Sequence, residues 1–249
     1  MISLRTQREI EKIGDAAKIS AQALEVAGEL CKVGVSTWEI DQAVKKFIVS
    51  QGAKPNFLHY QGFPASACIS VNDTVIHGIP SKDIVLKEGD IVSVDTGAVY
   101  NGYHGDNAFT FKVGEIGENA SKLLDVTEKA LYAGVEQAVV GNRIGDISHA
   151  IEKTVLPGGY GIVREFVGHG VGENLHEEPE IPNFGRPGRG PRLMAGMVLA
   201  IEPMINESGD EVVHLPDGWT IKTANGKLSA HFEHTIVVTN NGPVILTKV

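Results

Sequence analysis

The segments LKEGDIVSVD (86–95) and LMAGMVLAIE (193–202) match when the chain is shifted by 202 − 95 = 107 positions. At the same shift Gly34 falls on Gly141, Ile40 on Ile147, Ala43 on Ala150, and Ala23-Leu24 on Ala130-Leu131. A duplication of this length constrains the fold strongly, because each half must supply the same elements and bury the same faces. Thr6-x-x-Glu9 and Ser36-x-x-Glu39 read as capping boxes ahead of helical periodicity over residues 7–31 and 37–51. Strand alternation follows at 66–71, 91–97 and 106–113, and two more helical patterns at 118–138 and 143–155. Strands return at 162–169, 197–205 and 232–239. Helices then strands, twice over, predict an α+β fold: one domain over 1–249 with pseudo-symmetric halves, about 1–113 and 114–249. Helices would pack on one side of a curved, mainly antiparallel sheet.

The duplication also pairs acids. Asp95 overlays Glu202, and His104-Gly105-Asp106 resembles His231-Phe232-Glu233 at a shift of 233 − 106 = 127. An insertion of 127 − 107 = 20 residues, containing Trp219, therefore separates Glu202 from Glu233. In VSVDTG, Val92 and Val94 take one strand face and Ser93 and Asp95 the other, while Glu202 shares a face with Val198 and Ala200. Small neighbours thus leave room beside each acid. Four ionised carboxylates converging between two halves repel one another, and each costs roughly several kcal/mol to desolvate. Residues 91–97 and 198–203 carry no Lys or Arg to pair with them. Two divalent cations would balance the four charges, which is the logic of a dinuclear carboxylate site.

FVGHGVGENLHEEPEIPNF (166–184) adds His169 and His176, with Gly168, Gly170 and Gly172 interrupting any helix. HEEPE lacks the second His of H-E-x-x-H, and HFEH (231–234) does not have H-x-x-E-H spacing. One imidazole in an oxygen-rich set points to Mn, Fe(II) or Co over tetrahedral structural zinc, with Zn still an allowed ion. The excess of 31 acidic over 22 basic residues, net −9, disfavours DNA and anionic membranes as partners. Two cysteines, Cys31 and Cys68, with no C-x-x-C pair, suit a reducing compartment. The first residues read as an amphipathic helix, not a signal peptide, and no apolar run approaches the roughly 18 residues of a membrane span. The expectation is a monomeric cytoplasmic protein.

VNDTVIHGIP (71–80), VDTGA (94–98), GYHGDNAFTF (102–111), FVGHGVGENLHEEP (166–179), AIEPM (200–204) and SAHFEHT (229–235) resemble the type I methionine aminopeptidases. The resemblance covers nearly the whole chain and implies the pita-bread (creatinase/aminopeptidase) fold. It implies hydrolytic removal of the initiator methionine from nascent chains whose second residue is small and uncharged. It also implies five ligands to two divalent ions: Asp95 on one, Asp106 and Glu233 bridging, and His169 with Glu202 completing the other. Glu202 would be the general base, and His77 and His176 would hydrogen-bond the scissile peptide. Phe57, Tyr60, Phe63, Cys68, Leu175 and Trp219 would line the methionine pocket; Phe57, Phe63 and Leu175 depart from the Cys, Tyr and Phe common there. Backbone carbonyls of Asn72, Thr74 and Ser229 would hold a monovalent cation, Na or K. The loop FGRPGRGPRL (184–193), with Arg186, Arg189 and Arg192, reads as a solvated turn, a ribosomal RNA contact near the exit tunnel being the alternative. Two competing functions are a proline-specific peptidase of this fold and a non-catalytic binding protein. The first usually carries an additional N-terminal domain, and the second is expected to have lost metal ligands.

Overall fold

A computed structural model describes residues 2–248. Helices α1 (Gln7–Leu30) and α2 (Thr37–Ser50) begin at their capping boxes, where Thr6 and Ser36 accept from the N–H of Glu9 and Glu39 and those carboxylates return the bond. The buried face of α1 includes Ala16, Ala17, Ser20, Ala21, Ala23 and Ala27, small side chains that let the helix lie close to the strands beneath it. Helices α3 (Glu118–Glu136) and α4 (Ile144–Val155) repeat the pair in the second half. Among the described residues no helix is long and apolar enough to cross a membrane.

Between α2 and α3 come β1 (Lys54–Pro55), β2 (Ala67–Val71), β3 (Thr74–Ile76), β4 (Ile91–Tyr100) and β5 (Tyr103–Lys112). After α4 come β6 (Gly161–Ile162), β7 (Gly168–Gly170), β8 (Glu177–Ile181), β9 (Val198–Ile201) and β10 (Met204–Asn206). They are followed by β11 (Val212–His214), β12 (Ile221–Thr223), β13 (Ser229–His231), β14 (His234–Thr239) and β15 (Gly242–Ile245). Every pairing between these strands is antiparallel. The pairings form four sheets: β4 flanked by β1, β2 and β5; β13-β10-β6; β11-β12-β3; and β15-β14-β9-β7-β8.

Two of the strands expected from the sequence, 162–169 and 197–205, are split in two, and a third, 232–239, is shortened at its start. The stretch 197–205 becomes β9 and β10, with Glu202-Pro203 between them, where Pro203 has no N–H to give a ladder. The stretch 232–239 starts only at His234, with Phe232-Glu233 separating it from β13. The two breaks lie side by side, because Ile201 pairs with His234 and Met204 with His231. At that point the chain passes from one sheet to another, and 162–169 follows it: β6 pairs with β10, β7 with β9. In the first half the ladder is unbroken, with Asp95 opposite Ala108 and Asp106 opposite Gly97.

The face of β4 away from Asp95 is apolar: Val92 and Val94 share a core with Ile40, Val44 and Ile48 of α2. In the second half Leu123, Leu131, Ile147 and Ile151 of α3 and α4 cover Leu199, Ile201 and Ile236. The halves meet where β5 runs beside β13 and β14 in the opposite direction. There the Thr235 hydroxyl donates to Asp106 O (2.7 Å), Glu233 N–H to Ala108 O (2.9 Å) and His231 N–H to Thr110 Oγ1 (2.9 Å). The inserted stretch forms the β11–β12 hairpin, which pairs with β3 of the first half and so bridges the two.

Gly105 sits between His104 and Asp106 with the α1 backbone directly above it, and a Cβ there would overlap Ala17. Gly105→Ala is expected to cost about 1–3 kcal/mol through overpacking. Thermal unfolding should then show a melting temperature lower by several degrees, at about 2–4 °C per kcal/mol for a chain of this size. An unchanged melting temperature would mean that α1 can move off the strand.

Candidate metal centre and active site

The unbroken hairpin and the paired strand breaks bring Asp95, Asp106, Glu202 and Glu233 to the wall of one cavity of about 570 Å³, together with His169. Ligand atoms of Asp106, His169 and Glu233 all lie within 4.8 Å of one another. His169 Nε2 is 3.3 Å from Glu202 Oε1 and 3.9 Å from Asp106 Oδ2. His169 Nδ1 faces Gly170 O at 2.9 Å. A carbonyl only accepts, so Nδ1 carries the proton and the Nε2 lone pair points to the acids. Glycine on both sides is required by close approach: a Cβ on Gly168 would overlap Ala200 O, and one on Gly170 would overlap Glu178 O. This lets β7 fit between β8 and β9.

Asp95 Oδ1, Asp106 Oδ1 and Glu233 Oε1 are buried without a hydrogen-bond partner, and among the described residues no Lys or Arg lines the cavity. Burial pushes the Asp95 carboxyl up to about 7 and that of Glu202 up to about 8. Asp106 and Glu233 are held well above the usual carboxylate range, first by burial and then by the neighbouring acids. Burial takes His169 down to about 3, so its imidazole is neutral. Orphaned acceptor oxygens around a neutral imidazole fit divalent cations.

These raised values have a sign. Above about pH 4 the unfolded chain releases protons that folded, metal-free Asp95 and Glu202 retain up to about 7 and about 8. The stability of the chelated protein therefore falls as pH rises through that window. Divalent ions displace the same protons, so adding Mn should raise the melting temperature more at pH 8 than at pH 5. Equal metal-induced shifts at both pH values would contradict this competition.

His77 lies at φ 57, in the left-handed region, just past β3. Its turn is clipped to β2, since Gly78 N–H donates to Ser70 Oγ and Ile69 N–H donates to Gly78 O. The His77 ring meets Phe166 at 5.6 Å and Trp219 at 6.1 Å, both edge-on, and burial lowers its pKa to about 4. His176 packs edge-on against His169 at 4.3 Å between centroids, and its Nδ1 is 2.8 Å from the Tyr60 hydroxyl. Phe57, Phe63, Cys68 and Leu175 bury together, with Tyr60 and Trp219 packed against them. Trp219 arrives on the β11–β12 loop, where the Asp217 carboxylate accepts from the N–H groups of Trp219 and Thr220. Ser229 N–H donates to Asn72 O at 2.9 Å, and Thr74 pairs with Lys222; Asn72, Thr74 and Ser229 stand outside the cavity wall. Arg186, Arg189 and Arg192 are exposed on a loop tied to the start of α4 by Gly145 N–H to Arg189 O.

Sequence reasoning missed three contributors. Phe166 lines the cavity beside His77, two residues ahead of Gly168-His169-Gly170, and carries no signal of its own in the sequence. Arg5 Nη2 lies 2.5 Å from Glu177 Oε2, both side chains largely buried, and Asn174 N–H donates to the other Glu177 oxygen. That pair spans 172 residues and pins the loop that carries Leu175 and His176. His231, 3% exposed, lies with Nε2 3.6 Å from Glu202 Oε2. The duplication had matched it to His104 without giving it a task.

A cavity in which four buried acids converge on His169, flanked by His77, His176 and an apolar cluster, is that of a metal-dependent hydrolase. The description of metallopeptidase family M24 matches residues 11–240, and the chain belongs to that family. It is 52% identical to a methionine aminopeptidase of Clostridium perfringens, over 100% of both chains. The crystal structure of methionine aminopeptidase from Thermotoga maritima superposes with a TM-score of 0.98 at 46% identity, each chain covered in full. Prolidase from Pyrococcus furiosus gives a TM-score of 0.80 at 28% identity, covering 99% of this chain and 65% of that one. The architecture is the pita-bread fold.

Proposed function

We propose that the protein is a methionyl aminopeptidase that hydrolyses the initiator methionine from nascent chains whose second residue is small and uncharged. In this reading it acts in the cytoplasm, as a monomer. The observation that carries the reading is the orphaned set of acceptor oxygens on Asp95, Asp106 and Glu233, beside His169 and Glu202, at the edge of an apolar pocket. Asp95, Asp106, His169, Glu202 and Glu233 would hold two divalent ions, drawn from Mn, Fe(II), Co or Zn. When bound, such ions supply Lewis acidity to the scissile carbonyl and a nucleophilic water near neutral pH.

The chain's own groups do the rest. Glu202 takes the proton of the attacking water. His77 and His176, neutral because burial lowers both, offer ring N–H groups to the scissile peptide and the developing negative charge. Phe57, Tyr60, Phe63, Cys68, Leu175 and Trp219 enclose the methionine side chain, and each sulfur–ring contact is worth about 0.3–1.5 kcal/mol. Asn72, Thr74 and Ser229 are the proposed holders of Na or K, remote from the reacting atoms. The loop of Arg186, Arg189 and Arg192 is a solvated turn in this reading.

Identity of 52% to a methionine aminopeptidase, against 28% to the prolidase, favours this function over proline-specific cleavage. Chelated protein given Mn, Co or Fe(II) should release methionine from Met-Gly-Met-Met and leave Met-Lys and X-Pro peptides intact. No methionine release with any metal would sink the reading, and cleavage of X-Pro alone would replace it with the prolidase one. Glu202→Gln should lower kcat by about 10²–10⁴-fold with the fold intact by circular dichroism. Near-normal turnover in that variant would remove Glu202 as the base.

A further inference from the structure

His231 faces the acids from the strand break and is not used by the chemistry above. Its backbone is held on both sides by one hydroxyl: His231 N–H donates to Thr110 Oγ1 at 2.9 Å, and the Thr110 hydroxyl donates to His231 O at 2.8 Å. Ser93 Oγ lies 2.9 Å from Thr110 Oγ1 and adds a third contact to that hydroxyl. From this anchor the ring reaches Glu202, with Nε2 3.6 Å from Oε2. The other oxygen of that carboxylate, Oε1, is 3.3 Å from His169 Nε2. His231 Nε2 is buried and has no hydrogen-bond partner among the described residues, Glu202 Oε2 being the carboxylate oxygen it approaches. Glu202 thus stands between two imidazoles, one facing each oxygen.

The duplicated histidine is turned elsewhere. His104 Nδ1 bonds to Asn56 Oδ1 at 3.0 Å, and the His104 backbone N–H donates to Gly172 O. Each histidine precedes an acid by two residues, so the repeat places them alike, but only His231 sits at a strand break. A nitrogen buried beside a carboxylate oxygen is satisfied only as a donor.

We propose that His231 is a positioning residue for Glu202: its Nε2–H holds Oε2, so that Oε1 stays turned to His169 and to the cation those two residues would share. The proposal rests on the metallopeptidase reading and concerns an outer partner that orients a ligand and tunes its hold on the ion. A glutamine at this position keeps a donor of similar reach; leucine and methionine keep the bulk and lose the donor.

Calorimetric titration of Mn(II) into chelated protein tests it without any turnover. His231→Leu and His231→Met are expected to weaken Mn binding by about 10–100-fold, the usual effect of losing such a partner. His231→Gln should stay close to wild type. Thermal unfolding of the metal-free variants identifies any that fail to fold, and the two donor-less variants serve as substitutes for each other. Wild-type Mn affinity in a folded Leu or Met variant, or a Gln variant as weak as they are, would overturn the proposal. Wild-type protein that takes up no Mn would remove the metal reading and the proposal together, an outcome distinct from wild type and variants binding alike.

Discussion

Four carboxylates that share one wall of a cavity with no Lys or Arg among the described residues set the terms for the rest of this molecule. Water cannot reach and solvate them fully, and each raises the proton affinity of its neighbours. A loop would let such groups move apart. The fold instead carries two of them inside a continuous antiparallel ladder and the other two at breaks flanked by paired residues, Ile201 with His234 and Met204 with His231. The site is therefore held in a geometry that its own charges oppose, and the rigidity of the strands is what makes the acids available to cations.

The seam between the halves is the second half of that restraint. Thr235, Glu233 and His231 meet Asp106, Ala108 and Thr110 through a row of bonds that joins β14 and β13 to β5. The acids Asp106 and Glu233 belong to this row, so the distance between them is fixed by the same contacts that join the halves. The spacing of this acid pair and the join between the halves therefore depend on the same contacts.

Local signals were the legible ones. The capping boxes at Thr6 and Ser36 place two helix starts to the residue, because capping involves atoms only three positions apart. Asp95, Asp106, Glu202 and Glu233 stood out because they contradict an apolar pattern and recur through the duplication. The strand breaks were hidden in apolar runs; Pro203 was the one mark of the first, and the second carries none. The division into four sheets depends on which strands find each other, which periodicity does not encode. Arg5 with Glu177 and His231 with Glu202 are likewise chance encounters as far as the sequence is concerned, since tertiary packing alone brings them together.

The β11–β12 hairpin has no counterpart in the first half, yet it reaches across to pair with β3 and delivers Trp219 to the apolar pocket. Part of the wall of that pocket thus comes from the stretch that the offset of 107 does not match. Trp219 rides on this hairpin, whereas Asp95, Asp106, His169, Glu202 and Glu233 lie on or beside other strands. Trp219 and the acid cluster therefore draw on different sheets, and a change in the hairpin leaves the strands beside the acids in their own pairings.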